Sequence, residues 1–357
     1  MQLRNIFLLL AIPLFLSATT PYVLVTGGSG YIGSQTCKAL KKAGFVPIIY
    51  DLEAKNPWGP AIQGNVLDTL HLKEVLTEFQ PLCVIHFAAL ISVPASVQDP
   101  YNYYLTNFMG SLSLLEAMKG CKVKNIIFSS TASLYGNGTS EPLKEEASIK
   151  GLLNPYARSK WFTEECIKEW SHSFSLNYVI FRYFNAAGAD LEGEMGQLPE
   201  KSHHLITNCL KATLADKEMT LFGRDFPTSD GTAIRDYIHV VDLADAHVRA
   251  VSYLLKGGKS ELINLGTGKG LSVKEVLDSV QKITGIPLTI ITKERREGDV
   301  DILIADNTKA YEVLGWRPIY SDIDTIIGSA WRFTEKYSKE KAPSKEEALN
   351  LDSKKSS

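Results

Sequence analysis

The run Thr26-Gly27-Gly28-Ser29-Gly30-Tyr31-Ile32-Gly33 joins a short apolar stretch, Tyr22 to Thr26, to a helical one, Ser34 to Ala43, and constrains the fold more than any other part of the chain. Glycines three apart, directly after a strand and directly before a helix, have separate uses. Gly27 permits a tight turn, Gly30 lets backbone approach a pyrophosphate, and Gly33 lets helix and sheet pack closely. The helix N-terminus that follows offers open N–H groups and a partial positive charge to phosphates.

The next strand, Val46 to Tyr50, ends at Asp51, 18 residues beyond Gly33. A carboxylate there can accept both hydroxyls of an adenine ribose and would repel a 2′-phosphate, so the turn reads as a site for NAD rather than NADP. Further strands at Leu82 to Phe87, Lys124 to Ser130 and Asn177 to Phe181 are continuously apolar, and helical segments near 71–79, 105–118 and 155–173 separate them. Strands of that kind are buried on both faces. The predicted fold is α/β, a Rossmann-type doubly wound parallel sheet with a smaller, interleaved α/β substrate-binding domain where the alternation breaks after residue 186.

A chain of 357 residues suits about two domains. Residues 21–185 are assigned to NAD, with part of 232–260 able to return to that domain, and 186–337 to the substrate. Residues 338–357, rich in Lys, Glu and Ser, read as a mobile tail. The 38 Lys and Arg balance 40 Asp and Glu, and without a basic stripe a nucleic-acid partner is excluded. Five widely spaced cysteines, an odd number, suggest neither a disulfide framework nor a zinc cluster, and no metal is expected. They fit a reducing compartment. Residues 1–20 contradict it: Arg4, the apolar run Ile6 to Leu16 and the small residues after it resemble a signal peptide, too short to span a bilayer. A signal or anchor and an incidental extension both stay open. The expectation is a cytoplasmic catalytic domain, the alternative being export or membrane tethering through this segment.

Tyr156-Ala157-Arg158-Ser159-Lys160 follows Asn154-Pro155, where proline suits a helix start, so Tyr156 and Lys160 stand one turn apart on one face. A phenol, with an ordinary pKa near ~10, needs a nearby cation to act as a base at neutral pH. Lys160 and a positive nicotinamide ring would provide two. Ser129-Ser130-Thr131 ends the preceding strand and can place a hydroxyl beside the phenol. Tyr156, Lys160 and Thr131 are the candidate catalytic residues.

In that order, the glycine turn, S-S-T and Y-x-x-x-K resemble the extended short-chain dehydrogenase/reductases. Three later runs narrow the resemblance to the UDP-glucose 4-epimerase family: Arg182-Tyr183-Phe184-Asn185-Ala186-Ala187-Gly188-Ala189, the stretch Asp230 to Val240 with Asp242-Leu243-Ala244, and Arg295-Arg296-Glu297-Gly298-Asp299. The likeness covers Tyr22 to Thr334. It implies interconversion of UDP-glucose and UDP-galactose, in galactose metabolism, by transient oxidation at carbon 4. Tyr156 would take the 4-hydroxyl proton while hydride passes to NAD, and the 4-keto sugar would turn over before hydride returns to its other face. Thr131 would bind the 4-oxygen, and Lys160 the nicotinamide ribose.

The same resemblance assigns Tyr31 and Ile32 to the pyrophosphate, Asp51 to the ribose, Asn65 and Val66 to the adenine side, and Phe87, Ala88, Asn107 and Phe184 to the rest of the cofactor. Asn185, Phe222, Arg235, Arg296 and Asp299 would line the UDP-sugar site, two guanidinium groups matching a diphosphate. His203 and His204 lie where the family meets the nucleotide sugar, with substrate contact and a capping role both open; His86 and His239 read as satisfied core histidines. Helices near 105–118 and 155–173 would pair in a homodimer.

Departures matter too. Asn65 stands where the family often has Asp, Ile91 where some members have a cofactor-contacting Lys, Thr131 where Ser is more frequent, and the loop between Asp51 and Gly64 is short. Leu303 replaces a Tyr that narrows the sugar pocket in some members, leaving room for an N-acetyl group. Sugar-nucleotide dehydratases and decarboxylating relatives carry a carboxylate close after the active Ser or Thr; here Ala132 and Ser133 follow, so elimination lacks its acid. The alternatives are a 4-epimerase of UDP-GlcNAc/GalNAc, UDP-xylose/arabinose or UDP-glucuronate, and a non-catalytic NAD-binding regulatory protein.

Overall fold

Strands that are apolar on both faces need helices on both sides, and the chain supplies them in alternation. The first half runs β1 (Tyr22–Thr26), α1 (Tyr31–Lys42), β2 (Val46–Asp51), β3 (Ala61–Gln63), α2 (Thr69–Phe79), β4 (Cys83–His86), α3 (Val93–Gln98), α4 (Pro100–Tyr103), α5 (Gly110–Gly120), β5 (Asn125–Thr131), α6 (Pro155–Phe174) and β6 (Asn177–Tyr183). The second half holds β7 (Asn185–Ala187), α7 (Leu205–Leu214), β8 (Met219–Phe222), β9 (Ile234–Arg235), β10 (Tyr237–His239), α8 (Val240–Leu255), β11 (Glu261–Leu265), β12 (Leu271–Ser272), α9 (Val273–Thr284), β13 (Ile290–Lys293), β14 (Ile302–Leu303), α10 (Thr308–Leu314) and α11 (Ile323–Lys341). This computed structural model describes residues 20–341 except 56, 139–140, 203 and 297–298. The signal-like segment up to residue 19 and the tail beyond 341 lie outside the described residues, while 338–341, expected in the tail, close α11.

Seven parallel strands form the main sheet in the order β3-β2-β1-β4-β5-β6-β11. Alternate residues of each strand feed opposite cores. Val23, Val25, Ile49 and Phe181 pack on the α1 and α8 side, with Leu40, Leu243 and Ala250. Leu24, Ile48, Val84 and Phe128 pack on the other side, with Leu72 of α2, Leu114 of α5 and Ile167 of α6. The chain therefore returns to the first sheet over α8 and β11, a stretch that runs past the 232–260 segment read from sequence. The order reverses between β1 and β4, and such a switch point leaves a crevice at the carboxyl ends of the strands.

The helix expected over 105–118 is built differently. Tyr104–Met109 forms a wider, π-helical turn between α4 and α5, a feature frequent at functional sites. β3 lies in the short loop after Asp51, where no strand was read.

Smaller sheets, β7 with β10, β8 with β13, and β9 between β12 and β14, make the second lobe. Its core joins α7, α9 and α11 through Leu210, Val276, Leu277, Ile326 and Ile327. Contacts from α1 tie the lobes near the glycine turn. The Tyr31 hydroxyl donates to the Gly188 carbonyl at 2.6 Å. Lys38, buried on α1, is bound by the carboxylates of Asp190, Glu192 and Glu194. All five cysteines are free, and no helix among the described residues is long and apolar enough to cross a membrane.

Candidate active site

Gly27 sits at φ +72°, and a Cβ there would come within 2.6 Å of the Ala88 nitrogen. At Gly33 a Cβ would meet the Gly27 carbonyl oxygen at 2.2 Å, so neither position accepts a side chain without moving backbone. α1 starts on Gly30, and no side chain caps it, which leaves the first-turn N–H groups for a ligand. Beyond the turn, Asp51 is held in place by the Ser29 N–H at 3.0 Å and the Glu53 N–H at 3.3 Å. An uncapped helix end with a fixed carboxylate beside it fits the diphosphate and ribose diol of a dinucleotide.

A cavity of about 430 Å³ opens from this turn. Gly27, Gly30, Tyr31, Ile32, Gly33 and Asp51 line it at the turn, Asn65, Val66, Phe87 and Ala88 line its flank, and Thr131, Tyr156, Lys160, Phe184 and His204 line the rest. Some of these residues are already engaged by protein. The Tyr31 hydroxyl is taken by Gly188, and the Asn65 amide oxygen accepts from the Leu67 N–H at 3.0 Å.

Asn107 stands behind the wall. Its amide mimics a peptide, accepting from the Leu90 N–H at 2.7 Å and donating to the Leu90 carbonyl at 3.0 Å and to the Ser159 hydroxyl at 3.1 Å. The π-helical turn aims it inward, so it shapes the Leu90 loop, and its neighbour Thr106 lines the cavity instead.

The end that carries the candidate catalytic residues is built by docking α6 on the end of β5. The Asn154 side chain caps α6 by accepting from the Ala157 N–H at 2.9 Å, and Pro155 opens the helix. Three consecutive β5 residues then grip three successive turns of one helix face. The Thr131 hydroxyl hydrogen-bonds the Tyr156 phenol, the Ser129 carbonyl accepts from Lys160 Nζ at 2.7 Å, and the Ser130 hydroxyl donates to the Glu164 carboxylate. Burial pushes the Tyr156 phenol up, with the Thr131 hydrogen bond pulling against it. Lys160 is 3% exposed, and burial drives its ammonium down to about 7, with Glu164 resisting.

The remaining residues expected at the UDP-sugar do not line this cavity. Arg235 and Leu303 are register partners on β9 and β14; Arg296 pairs with Asp299 at 3.0 Å and covers the Phe222 ring at 4.8 Å. Burial pushes Arg235 down, with Tyr237 and Asp299 resisting and the like charge of Arg296 adding to the fall. Leu303 joins this group to the cavity through a cluster with Ala132, Tyr135, Phe184 and Ala305. Asn185 is fixed by its main chain, whose N–H donates to the Asp236 carbonyl at 2.9 Å.

His204 occupies the cap position of α7, and its N–H donates to the Ser202 hydroxyl at 3.1 Å; His203 lies outside the described residues. His86 and His239 are buried and hydrogen-bonded, to Thr26 and Ser111 and to Ser329 respectively. Burial holds them down to about 3 and about 4. Sequence reading missed Gln197, Thr106 and Tyr183 on the wall. Tyr183 had a signal, since it precedes Phe184 and pairs in register with Thr131; Gln197 had none.

The fold and the site define a class: a dinucleotide-binding α/β protein with a tyrosine and lysine pair of the short-chain dehydrogenase/reductase type. Residues 23–266 match the NAD dependent epimerase/dehydratase family, and the chain belongs to it. It is 46% identical over 317 residues to a UDP-glucose 4-epimerase of Rhizobium meliloti (strain 1021), covering 87% of this chain and 96% of the relative. Among solved structures it resembles UDP-glucose 4-epimerase from Brucella ovis in complex with NAD, at a TM-score of 0.84 and 41% identity over 87% of this chain and 98% of that one. It also resembles UDP-glucose-4-epimerase from Stenotrophomonas maltophila with bound NAD and formylated UDP-arabinopyranose, at 0.86 and 33% over 89% and 99%.

Gly33→Ala forces the turn open at the helix that would receive the phosphates. Calorimetric titration with NAD should show binding lost while the far-ultraviolet spectrum is kept; unaltered NAD affinity would refute this role for the turn.

Proposed function

We propose that the chain interconverts UDP-glucose and UDP-galactose as an NAD-dependent 4-epimerase. The observation that carries this reading is one cavity with a dinucleotide turn at one part of its wall and the Thr131, Tyr156 and Lys160 cluster at another. NAD, when bound, supplies the two-electron acceptor and donor that carbon 4 of the sugar needs.

The protein's part is to hold and move one proton. Tyr156 Oη takes the proton of the sugar's 4-hydroxyl and later returns it, and Thr131 Oγ1 steadies the oxygen between those events. Burial alone would keep the phenol protonated, so the Lys160 ammonium, one helical turn away, is needed to favour the phenolate. Ala132 is buried and Ser133 is hydrogen-bonded to Thr131 at 3.0 Å, so neither offers an acid for elimination. Arg235 and Arg296 suit the diphosphate of a UDP-sugar, with Phe222, Asn185 and Asp299 beside them. Residues 21–185, with α8 and β11, serve the cofactor and the remainder the nucleotide sugar. Five free thiols support a cytoplasmic catalytic domain.

A homodimer is part of this reading. Met109 and Phe162, in the segments expected to pair, are exposed apolar residues, and Val97 and Tyr101 on α3 and α4 are exposed as well. Sedimentation should give twice the chain mass, and F162E should halve it; a wild-type monomer at micromolar concentration would remove the dimer.

Incubation with UDP-galactose should yield UDP-glucose. Tyr156→Phe should lower kcat by about 10²- to 10⁴-fold with UDP-sugar binding retained. No conversion by a preparation carrying NAD would favour a regulatory protein instead.

Leu303 packs with Ala132 and Phe184, so its size is felt at the cavity wall, and turnover of UDP-GlcNAc is expected as a second activity. L303Y should suppress that turnover more than UDP-galactose turnover; wild type inert toward UDP-GlcNAc would exclude it.

A further inference from the structure

Lys160 must be a cation to support Tyr156, yet its burial opposes that charge, with a ring face and one carbonyl to favour it. The ammonium is buried, packs 4.9 Å from the Phe128 ring centre, and hydrogen-bonds the Ser129 carbonyl. One turn further along α6 lies Glu164, with no exposed surface at all. A buried carboxylate without a partner would be costly, and this one is fully partnered. Arg182 of β6 binds it in a fork, Nε at 3.0 Å and Nη2 at 2.7 Å, and the Ser130 hydroxyl donates to it from β5. Arg182 is fixed in turn, since its Nη1 donates to the Tyr135 hydroxyl at 3.1 Å and to the Glu145 carbonyl at 3.3 Å. Tyr135 donates onward to Asn264 of β11 at 2.6 Å.

Neither Glu164 nor Arg182 lines the cavity, so neither touches the reacting atoms. Their arrangement has a direction: the carboxylate sits on the helix that carries Lys160, and the guanidinium sits beyond it on the sheet. We propose that the buried Glu164–Arg182 pair is a positioning element that holds the Lys160 ammonium charged and in line with Tyr156, Arg182 fixing the carboxylate and the carboxylate fixing the ammonium. This rests on the epimerase reading for its purpose, but not for its test.

The titratable groups that face the pair and Lys160 are few. His86 on β4 is held neutral at neutral pH, Tyr183 on β6 donates to His247 at 2.5 Å, Tyr103 of α4 acts on Tyr156, and the Glu145 carboxylate accepts from the Asn264 N–H at 2.7 Å. Burial raises the phenols of Tyr183, Tyr135 and Tyr103, so these three are neutral near pH 7, and it raises Tyr156, whose ionisation is what the Lys160 charge supports. Glu164 is the charge that resists the loss of the Lys160 proton.

Removing either member should therefore move Lys160 in opposite directions. The measurement is the titration of Lys160 Nζ by nitrogen NMR in the full chain, assigned with K160R, beside the pH profile of kcat/KM. In E164Q, Lys160 should lose its proton about tenfold more readily, and the alkaline fall in kcat/KM should begin at lower pH. In R182Q the unopposed carboxylate should make the proton harder to lose, and that fall should begin at higher pH. E164Q leaves a buried guanidinium unpaired and can fail to fold. The double variant E164Q/R182M carries neither charge and should shift in the E164Q direction, because Glu164 is the nearer member. A shift of R182Q in the direction predicted for E164Q, a shift of E164Q or of the double variant the other way, or no shift in the variants that fold, would overturn the proposal. Lys160 titrating as stated in a protein without turnover would instead remove the epimerase reading and leave this one standing.

Discussion

The structure depends on the seating of one helix against the end of one strand. Ser129, Ser130 and Thr131 meet Lys160, Glu164 and Tyr156, so three neighbouring strand residues hold side chains that recur every four residues along one helix face. All three strand residues line the cavity, and of their helix partners Tyr156 and Lys160 line it too while Glu164 is buried behind it. A shift of β5 by one residue would turn every side chain to the wrong face and undo all three contacts together. The pairing of β5 with β4 and β6 along the interior of the sheet fixes that register.

The rest of the molecule brings ligands to that seat. The sheet's switch point opens the crevice, the glycine turn leaves a helix end free in it, and Asp51 marks its limit. The second lobe has its own core, yet its chain crosses back through α8 and β11. Asn264 of β11 then anchors the network that ends at Glu164, so the edge strand of the first sheet helps hold α6.

Features that depend on local backbone chemistry are legible in the sequence. The turn from Gly27 to Gly33 needs three residues without side chains at fixed offsets, and Asn154-Pro155 before Tyr156 states a helix start directly. What depends on distant partners is not. Lys38 in a helical stretch looks like any solvated lysine, and only the 190–194 loop, more than 150 residues away, makes its burial possible. Asn107 reads as a polar residue on a helix because the widened turn that swings it inward has no compositional mark. Glu164 looks like an ordinary helix glutamate until Arg182 arrives from the neighbouring strand. β3 has three residues and an exposed pattern, too short for a period to show.

The Lys38 cluster has a consequence of its own. One ammonium meets three carboxylates, of which Asp190 is buried while Glu192 and Glu194 stand 62% and 47% exposed. Exposed charges feel dissolved ions and buried ones hardly do, so the cluster is a fastening of two strengths. In dilute buffer the whole loop is drawn onto α1; at high ionic strength its outer carboxylates loosen while Asp190 keeps hold. The junction between the lobes thus responds to the salt around it by degrees, and the inner contact keeps the Tyr31 and Gly188 anchor in place throughout.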